Sequence, residues 1–407
     1  MKKLKLLIVL FLLSFSSYSQ NTISIGESEI FHSEILNEDR KLEIYLPKSY
    51  GKSDKIYPVL YLLDSFYNFS HCVGSVEYLF LNQLIPEMII VGIRNTRRNR
   101  DLTPYSPEID KKQRERLGLT GGADKFIDFL DKELIPHIEQ TYRAAPYRII
   151  VGHSLGGLFN VYTFLKKPEL FNSYITISPS LWYSNKLISE EFENVFSDSI
   201  EPNRNFYLTL ANENSGSMRG NVLKLSGEFE NYINTHKEAN LRFKYEPMPE
   251  ESHGSIGLPS IYFGLRFIFT PVKYKIPKTK EEITLQGGPD KVIEKSINFF
   301  EQQSKIYGFE LTNEYSLKDL GYTFLKIEEY KKYAIEVFKL RTKDHPESFD
   351  AYSDLASAYE ELGEWKKAKY NYEQALRLIK KTGDPEWEFY QLDLDNLEKK
   401  IKEKKKE

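Results

Sequence analysis

Arg148-Ile149-Ile150-Val151-Gly152-His153-Ser154-Leu155-Gly156-Gly157-Leu158-Phe159-Asn160-Val161-Tyr162 is the stretch on which the fold turns. Its first four residues form a short apolar run of the kind that makes a buried strand. From Leu158 to Leu165 the pattern is helical. Between them stands Gly152-His153-Ser154-Leu155-Gly156, a G-x-S-x-G sequence followed by another glycine. A chain that leaves a strand and enters a helix within one residue strains that residue's backbone, so only small neighbours fit beside it. The strained residue is Ser154, and its hydroxyl is thereby lifted clear of the strand end.

Outward from this turn, apolar runs of strand length recur. They lie at Val59–Leu63, Met88–Ile93, Tyr174–Ser178 and Phe206–Leu210, with a further candidate at Leu241–Met248. The first four are continuously apolar and rich in Val, Ile and Leu, as strands covered on both faces are. Helical patterns separate them; in Ala123–Tyr142, Phe126, Phe129, Leu130, Leu134 and Ile135 share one face. Glu29–Leu36 and Arg40–Leu46 read as an antiparallel pair about the turn Asn37-Glu38-Asp39. The expected architecture is α/β, a doubly wound, mostly parallel sheet.

A serine hydroxyl attacks only when a base removes its proton. With an acid and then a histidine following the serine in chain order, the candidates are His236, His253 and His345. His236 falls in an amphipathic helical stretch and His345 at a repeat boundary. His253 follows the last strand candidate, in a loop able to reach the turn. Glu213, in Ala211-Asn212-Glu213-Asn214 after the strand Phe206–Leu210, is the expected acid. Glu250 and Glu251 are alternatives, as is a Ser–His dyad with no acid. The negative charge on a tetrahedral intermediate needs backbone donors. The amide of Leu155 and one from Asp64-Ser65-Phe66, taken as Phe66, are expected to supply them.

These residues carry a resemblance. Tyr61-Leu62-Leu63-Asp64, Val91-Gly92-Ile93-Arg94-Asn95-Thr96, Arg100-Asp101, the serine turn, Ser178-Pro179-Ser180-Leu181-Trp182 and Glu251-Ser252-His253 resemble the putative-esterase family of α/β-hydrolases. That family includes esterase D, siderophore trilactone esterases, feruloyl and acetyl-xylan esterases, and mycolyltransferases. The likeness runs from about Ile30 to Thr270 and is strongest to the siderophore-esterase branch. The chain departs at Ser65, where a glycine is common. The resemblance implies a serine carboxylic-ester hydrolase working through an acyl-enzyme, with a feruloyl- or acetyl-xylan-type esterase or an acyltransferase on the same residues as alternatives. Arg94, Arg97, Arg98 and Arg100 follow a strand's carboxyl end, where ligands of open α/β sheets gather. They are candidates to hold an anionic substrate, or else form an ion-paired loop. No cofactor and no metal are expected, because no His, Cys and carboxylate cluster has metal-ligand spacing.

The remainder of the chain bounds this reading. Its 407 residues carry 56 basic and 59 acidic side chains, a net charge of -3, so nothing points to nucleic acid. Lys2, Lys3 and Lys5 precede the short apolar run Leu6–Phe15 and the small residues Ser16 to Ser19. Residues 1–19 therefore read as a cleavable export signal, placing the mature protein in a periplasm or outside the cell, with no membrane span. The single cysteine, Cys72, is assigned no chemistry. Residues 20–270 form the expected hydrolase domain, 271–289 a Pro- and Gly-containing linker, and 290–407 an all-α domain. In that tail Ala334 and Phe338 precede Ala368 and Tyr372 by 34 residues, a tetratricopeptide-like period. Helices around Val292–Ser304 and Trp387–Lys402 are expected to cap the stack. Such repeats offer a surface to a protein partner or a second copy of the chain, or make a binding module on an inactive hydrolase platform. The main expected partner is a small-molecule or glycan-linked ester.

Overall fold

The computed structural model describes residues 24–404 apart from 52–53, 108, 110, 184–203, 214–215 and 238–239. Residues 1–19, read above as an export signal, lie outside these. Among the described residues, eight strands form one sheet. β1 (Glu27–Ser33) and β2 (Glu38–Tyr45) are followed by β3 (Tyr57–Leu62), helix α1 (Ser65–Leu81) and β4 (Ile89–Ile93). Two short helices, α2 (Arg98–Leu102) and α3 (Lys111–Leu117), lead to α4 (Ala123–Phe129). A π-helical turn, Leu130–Leu134, joins α4 to α5 (Ile135–Thr141). Then come β5 (Ala144–His153), α6 (Leu155–Lys166), β6 (Ser173–Ile177), β7 (Asn205–Leu210), α7 (Gly216–Thr235), β8 (Arg242–Pro247) and α8 (Gly257–Phe269).

The strand order is β1-β2-β4-β3-β5-β6-β7-β8. β2 is antiparallel to both β1 and β4, and every other pairing is parallel. Alternation along the central strands divides the core in two. Val59, Tyr61 and Ile150 face α4, α5, α6 and α7, while Leu60, Leu62, Ile149 and Val151 face α1 and α8. Covering both faces explains why the stretches 59–62 and 149–151 are apolar at every position. Cys72 is buried in the second cluster, where burial pushes its thiol pKa up to about 12 and keeps it protonated.

Beyond α8 the chain is helical. α9 (Lys280–Leu285) falls inside the stretch read as a linker, and Ile276 and Ile283 are buried in the helical core. α10 (Pro289–Tyr307) precedes α11 (Glu314–Leu325), α12 (Lys331–Asp344), α13 (Phe349–Glu361), α14 (Trp365–Thr382) and α15 (Trp387–Lys404). Gly321 lets α11 approach α12; a Cβ there would sit 2.5 Å from the Phe338 ring. Arg341 is buried in an ion pair with Asp354 and lies 3.2 Å from Glu314.

α10 belongs to both halves of the molecule. Val292 sits in the helical core, whereas Phe300 and Tyr307 sit in the sheet-side cluster with Tyr147 and Phe269. Tyr307 stacks on Phe269 with ring centroids 5.5 Å apart and donates its hydroxyl to the Ile268 carbonyl at 2.9 Å. Gly308 ends the helix at φ 73°, where a Cβ would meet Pro146 at 2.9 Å. This junction lies at the start of β5. The serine turn lies at its other end, so the helices do not line the turn.

Candidate active site

β5 ends at His153, and Ser154 takes φ 61°, ψ −112°, a conformation unfavourable for any residue with a side chain. The glycines around it make the bend sterically feasible. A Cβ on Gly152 would stand 2.2 Å from the Gly156 carbonyl oxygen, and one on Gly157 2.9 Å from that of Ile177. Gly156 has ordinary room, 3.4 Å to Asp64. The Ser154 amide donates to Ile177 O at 2.9 Å, and its carbonyl accepts from the Ser180 amide at 3.0 Å. Its hydroxyl lies 3.1 Å from that of Ser180. β6 thus holds the strained residue from one side.

Two loops at the same sheet edge bring the base and acid candidates together. Glu213 follows β7, and His253 follows β8. The Asn212 amide donates to Glu251 O at 2.9 Å, joining the loops directly. Ser178 accepts the Ala211 amide at 2.9 Å and steadies the start of the Glu213 loop. Glu213 Oε1 and His253 Nδ1 are 2.6 Å apart. A carboxylate at Nδ1 selects the tautomer with its proton there, leaving Nε2 to accept another. Of the alternative acids, Glu251 accepts from the Ser255 hydroxyl at 2.5 Å. The other candidate histidines lie elsewhere. His236 stacks on Tyr232 with centroids 4.4 Å apart, and His345 bonds Asn313 at 2.9 Å.

His153 was not singled out from the sequence, yet its ring lies 4.6 Å from the His253 ring. Burial, reinforced by the positive charge His253 can carry, lowers its pKa to about 4, so it stays neutral beside the candidate base.

The expected oxyanion donors open on the same edge. Leu155 is the first residue of α6 and Phe66 the second of α1. Neither amide has an acceptor among the described residues, as is usual in the first turn of a helix. Ser65, where a glycine was expected, packs its side chain against Gly92; a Cβ on Gly92 would lie 2.7 Å from that of Ser65. The glycine at 92 makes the serine at 65 fit.

Three of the four arginines are ion-paired, each with a different partner. Arg94 pairs with Glu43 at 3.0 Å and covers the Phe66 ring at 4.2 Å. Arg98 grips Asp64 through two bonds of 2.6 and 2.8 Å. Arg100 forks onto Glu38 at 2.7 and 3.0 Å and reaches Asp101 at 2.6 Å. Arg97 is exposed and has no ion-pair partner among the described residues. No set of three or more His, Cys, Asp or Glu side chains among the described residues converges as metal ligands. No helix there is long and apolar enough to cross a membrane.

The family model described as "Putative esterase" matches residues 33–240. The chain belongs to that esterase family. This esterase is 30% identical over 246 residues to the ferri-bacillibactin esterase BesA of Bacillus subtilis (strain 168), covering 56% of this chain and 79% of BesA. A shorter match, 32% over 107 residues, covers 25% of the esterase and 35% of the siderophore enterobactin esterase of Emericella nidulans. In structure it is similar to an IroE-like serine hydrolase from Shewanella oneidensis. The TM-score is 0.62 at 27% identity, over 78% of this chain and 99% of that one. The chain is accordingly a serine esterase acting on carboxylic ester bonds.

Proposed function

We propose that the mature protein is an exported siderophore-type esterase in which Ser154, His253 and Glu213 act as a triad through an acyl-enzyme. The observation that carries this reading is the 2.6 Å contact between Glu213 and His253 on the sheet edge that bears the strained Ser154. Ser154 Oγ attacks the ester carbonyl carbon while its proton passes to His253 Nε2. The carbonyl oxygen becomes an oxyanion between the amides of Leu155 and Phe66. Glu213 holds the imidazole by Nδ1 and balances the imidazolium. When the intermediate collapses, His253 returns the proton to the departing alkoxide, leaving an acyl group on Ser154. Water then attacks that acyl carbon, gives its proton to His253, and the acid is released with Ser154 restored.

The siderophore ester as substrate rests on the names of the relatives from Bacillus subtilis and Emericella nidulans. Export rests on the basic and apolar character of residues 2–15. The helical half is read as a tetratricopeptide-like stack, supported by the close Gly321–Phe338 packing between α11 and α12.

The test is hydrolysis of short-chain p-nitrophenyl esters and of a siderophore trilactone, with fluorophosphonate labelling, by wild type and Ser154→Ala. Turnover and labelling present in wild type and lost in the variant support the assignment. Activity surviving in folded Ser154→Ala would end it. Adding an alcohol acceptor and looking for a new ester separates hydrolysis from acyl transfer.

A further inference from the structure

Asp64 is the hinge between β3 and α1, and it sits in the left-handed region at φ 54°, ψ 39°. Most residues with a side chain avoid that conformation, and the carboxylate here is nearly buried, its side chain 7% exposed. Among the described residues, every hydrogen bond to that carboxylate comes from Asn95, in the loop after β4, and Arg98, at the start of α2. Arg98 supplies the two-pronged contact already described, and Asn95 Nδ2 donates to Oδ1 at 2.5 Å. Arg98 Nη2 also reaches the carbonyl of His153, the residue before Ser154, at 3.3 Å. One guanidinium therefore ties together the entry to α1, whose second residue is Phe66, the start of α2 and the end of β5. Nearby, Asn68 Nδ2 donates to the Asp64 carbonyl at 3.2 Å.

We propose that Arg98 is a positioning residue for ester cleavage: its grip on Asp64 sets the Phe66 amide opposite that of Leu155. The proposal rests on the oxyanion assignment made above and goes beyond it by naming what holds the site open. A fork on a carboxylate fixes direction as well as distance, which a flexible ammonium does not. Releasing the fork frees Asp64 to leave the left-handed region, and the first turn of α1 rotates with it. The Phe66 amide then misses the oxygen, while groups that bind the substrate's ground state remain. Substrate recognition by Arg98 makes the opposite forecast, a loss confined to charged esters and to KM.

The experiment uses the full mature chain with Arg98→Gln, Arg98→Lys, Asn95→Ala and Asp64→Asn. Each is assayed on neutral p-nitrophenyl acetate and on the anionic mono-p-nitrophenyl succinate, with melting temperature as the control for folding. Losing one oxyanion donor typically costs about 10²–10³ in rate, so Arg98→Gln is expected to lower kcat on both esters alike by about 10²-fold, with KM little changed. Affinity for a trifluoromethyl ketone, whose adduct carries the oxyanion, should fall in step with kcat. Arg98→Lys recovers part of the loss, and Asn95→Ala, the mildest change, loses less than tenfold. Asp64→Asn combined with Arg98→Gln should be no worse than the poorer single variant, as expected for groups acting as one unit.

Unchanged kcat on the acetate in folded Arg98→Gln or Asn95→Ala, with KM raised on the succinate alone, would overturn the proposal in favour of a substrate contact. Wild-type kinetics on both esters in those variants would overturn it outright. Should Arg98→Gln not fold, Asn95→Ala and Arg98→Lys decide by the same criteria. An inactive wild type would instead overturn the ester-cleavage assignment, and the clamp with it.

Discussion

Replacing Glu213 by glutamine keeps the size of the side chain and removes its charge. The group it faces, His253 Nδ1, lies 2.6 Å away. A hydrogen bond to a charged partner contributes about 1.5–3 kcal/mol, so losing the charge should lower kcat by roughly 10- to 150-fold. His253 is 41% exposed at its side chain against 16% for Glu213. Water therefore screens the imidazolium and favours the lower half of that range. KM should stay nearly constant, because the charge on His253 develops only on the way to the transition state. The assay is steady-state hydrolysis of p-nitrophenyl acetate by wild type, Glu213→Gln and His253→Ala, together with the double variant. Placing Glu213→Gln on His253→Ala should cost nothing further, since Glu213 acts only through the imidazole. A Glu213→Gln enzyme within threefold of wild type would refute the orienting role and leave a Ser–His dyad.

Two more outcomes follow from the packing and from His153. Tyr307→Ala should destabilise the protein by about 3–5 kcal/mol, the usual effect of emptying a buried aromatic site, because the ring is buried against Phe269 and its hydroxyl serves Ile268. The kcat of the folded fraction should match wild type, because the junction is at the far end of β5; urea melts and titrated active sites measure the two quantities. His153 has a folded pKa of about 4 against an ordinary 6.5. Its depressed value contributes stability that is complete above pH 6.5 and is lost as pH falls toward 4, by about 3 kcal/mol in all. Urea melts between pH 7 and 4 should show a shallower loss in His153→Gln than in wild type. Equal slopes would mean that His153 is not held neutral.

Much of the site was legible because its chemistry constrains local sequence. A strand, a strained serine and flanking glycines leave few alternatives at residues 148–165, and the order of the sheet's loops pointed to Glu213 and His253. What escaped the sequence depends on pairings distant along the chain. Arg98 read as a candidate for an anionic substrate or else a member of an ion-paired loop, and its partner could not be named because Asp64 belongs to another βα unit. Arg100 likewise engages Glu38 on β2, and Arg40 beside them is buried among Glu38 and Asp101. Ser180 belongs to the Ser178–Trp182 motif, yet only the geometry places its hydroxyl beside Ser154. In the 123–142 helix the apolar spacing was read correctly, but the π-helical turn at Leu130–Leu134 shifts the register without changing which residues are apolar. Between 271 and 289 proline and glycine suggested a connector. Two isolated isoleucines, too few to create a period, are what fasten it to the helical core.

α10 has a bearing on how this architecture can be cut or inherited. Its Phe300 and Tyr307 cover sheet-side residues while its Val292 seals the repeats, so neither half ends where its own sequence pattern does. A chain trimmed after α8 would leave Tyr147 and Phe269 facing water, inviting the sticky, poorly soluble behaviour of an exposed apolar patch. Heating the intact protein should accordingly give one cooperative transition rather than two. Adding or removing the helices would demand matching changes at the start of β5, so the tail behaves as part of the enzyme's core rather than as an interchangeable attachment.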